Sequence, residues 1–120
     1  MRILWVDDIR DPFSNMYGSF ILKALGISSY PNDTQITWVK NFAGFCNTIE
    51  NEDMYDVIFF DHDLGEEESG KDCANFLIDY CIDNNIDVPQ CYSQSSNPVG
   101  RKNILSYIES YEKIKRENNI

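Results

Sequence analysis

An α/β fold, with a doubly wound parallel sheet of about four strands covered by helices on both faces, is the architecture this sequence predicts. Three observations carry it. Two short runs, Ile3 to Val6 and Val57 to Phe60, are apolar at every position, as strands buried on both faces must be. Segments whose apolar residues recur at helical spacing fall between such runs, the alternation expected of right-handed strand–helix–strand units. Finally, 120 residues supply one hydrophobic core, so a single domain over residues 1–120 is expected.

Taken in order, Ile3 to Val6 forms the first strand and ends abruptly in Asp7-Asp8. Residues 13 to 35 are harder to read: Phe20, Ile21, Leu22 and Leu25 suffice for a short helix, followed by Gly26 and the turn-prone stretch Ser28 to Asp33. Ile36 to Val39 gives a second strand, and Phe42, Phe45, Cys46 and Ile49 then recur at helical spacing. Val57 to Phe60 ends in Asp61-His62-Asp63-Leu64-Gly65, and Glu66-Glu67-Glu68 reads as a solvated loop. After Gly70 the positions Cys73, Phe76, Leu77, Tyr80 and Cys81 mark a helix. Val88 to Tyr92 is the fourth strand, with Pro89 tolerable near its start. The last helix is capped by Asn97, begins at Pro98, and carries the stripe Ile104, Ile108 and Tyr111, with a solvated, frayed end from Lys113 to Asn119. The first strand should lie in the interior of the sheet.

Composition narrows the function. Twenty acidic against ten basic residues leave a net charge of -10, which repels a nucleic-acid backbone and disfavours duplex DNA as a partner. The apolar start is too short for a signal peptide or a membrane span, so a cytoplasmic location and no membrane partner are expected. The four cysteines show no C-x-x-C pair, and Cys73 and Cys81 would stand ~12 Å apart on one helix, too far for a disulfide. With His62 as the lone histidine and the cysteine spacing wrong, zinc is not expected.

Ligands of open α/β sheets gather at the carboxyl ends of the strands. That edge collects Asp7, Asp8, Asp61, His62 and Asp63, and carboxylates crowded together repel one another unless a cation lies between them. Hard oxygen ligands suit Mg²⁺, which takes only a few protein carboxylates alongside waters and substrate phosphate oxygens. Opposite them, the start of the last helix offers backbone N–H groups to an anion, Gly100 allows close approach, and Arg101 fits a phosphate bidentately, with Ser95 and Ser96 hydroxyls nearby. Plain capping by Asn97 and Pro98 accounts for the same helix start without a ligand. His62 is either a general acid or base, or a structural residue pointing away from Asp61 and Asp63, which share one direction if the strand continues.

Asp7-Asp8 and Asp61 resemble the acidic pocket of response-regulator receiver domains. A closer resemblance is to the cyclic-phosphate processing receiver-like family, carried by DDIRDP at Asp7 to Pro12, DHDLG at Asp61 to Gly65, SGKD at Ser69 to Asp72 and SSNPVGRKNI at Ser95 to Ile104. It implies a three-layer, flavodoxin-like receiver fold, here truncated to about four strands. It also implies processing of a cyclic phosphate on a nucleotide or RNA end. Asp7, Asp8 and Asp61 would serve the metal or phosphate site, Asp61, His62 and Asp63 the chemistry, and Ser95, Asn97, Gly100 and Arg101 the phosphate. Gln94 stands where the family often has a histidine, and the fifth strand and lysine of phosphorelay receivers are missing. Three functions follow: Mg²⁺-dependent phosphoester hydrolysis, a non-catalytic module that binds a phosphorylated ligand or is phosphorylated on Asp61, and an acidic interaction protein without chemistry.

Overall fold

A computed structural model describes residues 1–118, with side chains through Ile114. The elements are β1 (Arg2–Val6), α1 (Asn15–Leu25), β2 (Gln35–Val39), α2 (Phe42–Asn51), β3 (Val57–Phe60), α3 (Gly70–Asn84), β4 (Gln90–Ser93) and α4 (Pro98–Asn118). All pairings are parallel, in the order β2-β1-β3-β4, so β1 is interior as its apolar run requires.

Alternation along the strands divides the core in two. Leu4, Val6, Ile58 and Phe60 point to the face covered by α2, α3 and α4, where Phe45, Leu77 and Ile104 meet them. Ile3, Trp5, Val57 and Phe59 point to the other face, which α1 covers through Ile21. Each fully buried side chain of this size contributes roughly 1.5 to 3 kcal/mol. The helix starts are set by short polar side chains. Ser14 accepts from the Tyr17 N–H, Asn41 from the Gly44 N–H and Asn97 from the Gly100 N–H, and Ser69 forms a capping box with Asp72.

Several details differ from the sequence expectation. The fourth strand starts at Gln90 instead of Val88, since Pro89 has no N–H for the ladder, and it runs on to Ser93. The obscure stretch after Phe13 is an eleven-residue helix started by the Ser14 cap and ended at Gly26, whose φ is 69°. Glu66 is not merely solvated, because its carboxylate accepts from the Phe42 N–H at 2.7 Å and so supports the start of α2. Of the stretch expected to be frayed, Lys113 and Ile114 are exposed, and the rest lies outside the described side chains.

Register is what makes a site. Val6 pairs with Phe60, and Phe60 with Ser93, so the residues that follow, Asp7, Asp61 and Gln94, emerge level with one another. The ladder runs one step further through them: Asp61 N donates to Val6 O at 2.9 Å and Gln94 N to Phe60 O at 3.2 Å.

Candidate functional site

One carboxylate oxygen each from Asp7, Asp8 and Asp61 lies within 4.8 Å of the others. Asp7 and Asp61 are buried and Asp8 is half-buried. The loop that carries the pair is braced from beneath by two indoles: Trp38 Nε1 donates to Asp7 O at 2.7 Å, and Trp5 Nε1 to Arg10 O at 2.9 Å. Asp7 Oδ1 accepts from the N–H groups of Ile9 and Arg10, a turn that an aspartate closes on its own following backbone.

That turn folds Arg10 back over the acids. Its Nη1 stands 3.4 Å from both Asp7 Oδ2 and Asp61 Oδ2, and its Nη2 donates to Ser96 Oγ at 3.1 Å. Burial alone would lower the Arg10 pKa, but the two carboxylates outweigh it and raise it. Burial, reinforced by Asp7, pushes the Asp61 pKa up to about 6, with Arg10 opposing. Gln94 donates from Nε2 to Val6 O at 2.9 Å and to Asp7 Oδ2 at 3.3 Å. Its Oε1 is buried and has no partner among the described residues. Gln94 orients Asp7; an amide has no proton to give as a general acid.

A cavity of about 460 Å³ opens above the cluster, lined by Asp8, Arg10, Tyr17, Asp61, Asp63 and Ser96 among others. Gly65 also lines it, with φ of 69° and so little room that a Cβ would sit 3.0 Å from Asp8 Oδ2. Gly70 lets the start of α3 pack onto the strand end; a Cβ there would fall 1.9 Å from the Asp61 carbonyl oxygen. Ser69, Gly70 and Asp72 of the SGKD motif are thereby accounted for by capping and packing.

Asp61 and Asp63 share the cavity, whereas His62 turns onto α4 with its Nδ1 buried and without a partner among the described residues. Gly100 meets it there: a Cβ on Gly100 would lie 2.3 Å from His62 Cγ. Gly100, the glycine expected to admit a phosphate, leaves the room that the histidine ring fills. Ser95 Oγ accepts from the Asn97 N–H at 3.1 Å and Asn97 Oδ1 from the Gly100 N–H at 3.0 Å, so both side chains order the turn into α4. Arg101 is exposed, one turn into the helix. Sequence reasoning missed Arg10, although its place three residues after Asp7 is the signal that an aspartate turn would bring it back.

The donor set fits a hard divalent cation. All three groups are carboxylates, Arg10 as the one cation against them among the described residues leaves two negative charges in excess, and half-open Asp8 leaves room for water. A four-stranded parallel sheet with an acidic cluster at its carboxyl edge defines a receiver-like domain. The family model of the cyclic-phosphate processing Receiver domain matches residues 2–110, and the chain belongs to that family. Among curated proteins none matches it. One solved structure, the yeast Spc42 trimeric coiled coil (amino acids 181-211) fused to another protein, is similar over 88% of this chain, with TM-score 0.54 and 20% identity. This chain spans 59% of that one, and the likeness is one of fold.

Proposed function

We propose that the protein hydrolyses a phosphate ester in a Mg²⁺-dependent reaction, its substrate a cyclic phosphate on a nucleotide or an RNA end. The observation that carries this reading is the convergence of Asp7, Asp8 and Asp61 beneath a cavity that also presents Arg10 and Ser96. Asp7, Asp8 and Asp61 would hold the ion, which when bound supplies a Lewis acid for a phosphoryl oxygen and a more acidic water. Arg10 and Ser96 offer donors to an anion from the side of the β4–α4 turn. Asp63, exposed in the same cavity and outside the cluster, would act as base, with Asp61 as the alternative base or nucleophile. His62 supports α4 in this reading, Ser95, Asn97 and Gly100 shape the turn, and Arg101 contributes charge from outside. The net charge of -10 favours a small phosphorylated molecule or a single RNA terminus over duplex DNA.

No helix among the described residues is long and apolar enough to cross a membrane. The thiols of Cys46 and Cys73, pushed up in pKa by burial, suit a packing role in a reducing compartment such as the cytoplasm. The test is a screen of 2′,3′-cyclic phosphates, cyclic dinucleotides and phosphomonoesters with Mg²⁺ or with chelator. Metal-dependent turnover lost in Asp63→Asn and in Asp8→Ala supports hydrolysis. A second reading, a module that binds a phosphorylated ligand or accepts phosphate on Asp61 without turnover, is favoured by Gln94, which removes a ready proton donor beside Asp7. Ligand binding or a persistent acyl phosphate, with no product from any substrate, would decide for it.

A further inference from the structure

The acidic cluster already has a cation of its own, held loosely. Arg10 Nη1 reaches Asp7 Oδ2 and Asp61 Oδ2 only at 3.4 Å, longer than the ~2.7 to 2.9 Å of a well-made charge-assisted bond. Its other nitrogen spans the cavity to Ser96 at 3.1 Å. The backbone of Arg10 does not depend on these contacts, because its N–H is held by Asp7 Oδ1 at 2.8 Å and its carbonyl by Trp5 at 2.9 Å. The guanidinium can therefore leave the carboxylates while the loop stays in place.

From this geometry we infer that Arg10 is a tethered counter-cation, a positioning residue that neutralises Asp7 and Asp61 until a divalent ion takes their oxygens. Arg10 then turns its guanidinium toward an anionic oxygen of the ligand on the Ser96 side. Two cations cannot crowd onto the same two carboxylates without strong repulsion, so the side chain with the long bonds gives way. The ligand half of this inference rests on the phosphate-ester reading; the exchange with the ion does not. Its consequence has the opposite sign from that of a purely structural arginine: removing Arg10 should strengthen metal binding.

Calorimetric titration of Mg²⁺ into the full chain, parent and Arg10→Met, followed by inorganic phosphate at saturating Mg²⁺, tests it. Arg10→Met is expected to bind Mg²⁺ roughly tenfold more tightly and phosphate roughly tenfold more weakly, each ~1.4 kcal/mol. Unchanged or weaker Mg²⁺ affinity in a folded variant overturns the proposal, as does a parent that binds no Mg²⁺. Tighter Mg²⁺ binding with unaltered phosphate affinity upholds the exchange and overturns the ligand role. Should Arg10→Met fail to fold by circular dichroism, the Arg10 Nε–H resonance of the parent replaces it: a saturable shift on Mg²⁺ addition is expected, and no response at saturation contradicts the exchange. A failure of every ester to be hydrolysed bears on the catalytic reading and leaves these binding results standing.

Discussion

The two halves of the strand-end edge are built by different means. Beneath β1 and β3, Asp7 and Asp61 are level because the sheet register makes them so, and both are buried in backbone that the ladder and two tryptophans hold. Beyond β4, the turn Ser95 to Arg101 takes its shape from side chains: Ser95, Asn97 and the contact of Gly100 with His62. One half inherits precision from the fold, while the other has to make its own. Arg10 joins them, reaching from the first to Ser96 in the second.

Breaking the register-built half should have the largest effect. Gly70→Ala drives a Cβ into the Asp61 carbonyl, which belongs to backbone and cannot swing aside, so chemical denaturation should show a loss above ~3 kcal/mol, the upper end of overpacking costs. In the other half, Gly100→Ala meets a side chain and should cost less, ~2 kcal/mol. The cycle with His62→Ala sharpens the contrast. If Gly100 serves the histidine, the double variant recovers most of that loss; strictly additive losses would return Gly100 to the role of admitting a ligand.

Protonation separates the halves next. Asp61, raised to about 6 by burial and by Asp7, binds its proton more tightly folded than unfolded, so its contribution to stability is complete below about pH 4 and is lost as pH rises through 6. In chelator, Asp61→Asn should therefore gain on the parent between pH 4 and 7, by ~2 kcal/mol or less, measured as melting temperature against pH. A gap that stays constant across that window would contradict the buried, acid-flanked setting of Asp61. The smallest effect is expected at Arg101, exposed on α4: Arg101→Ala should change phosphate affinity by about threefold or less, a contribution typical of an exposed charge. A tenfold loss there would bring the helix start back as the main anion site.

The same division governs what could be read from the sequence. β1 and β3 were legible because strands buried on both faces are apolar throughout, and their carboxylate endings marked the edge. The start of α4 was legible because Asn97 and Pro98 act locally. Arg10 was hidden, since its position comes from a turn that redirects the chain after a strand. The pairing of His62 with Gly100 was hidden too, because nothing local joins residues thirty-eight apart. At the margins, Pro89 displaced the start of β4 and a serine cap lengthened α1, both matters of single backbone N–H groups.

The central claim, that Asp7, Asp8 and Asp61 form one divalent-cation site, is tested most directly by calorimetric titration of Mg²⁺ into the parent and into Asp8→Ala. Asp8 is the half-buried member, whose loss disturbs the core least. One ion bound per chain by the parent, with the heat abolished in a folded Asp8→Ala, is the result this account predicts. A parent that shows no binding at millimolar Mg²⁺, or an Asp8→Ala variant that binds as the parent does, would contradict it.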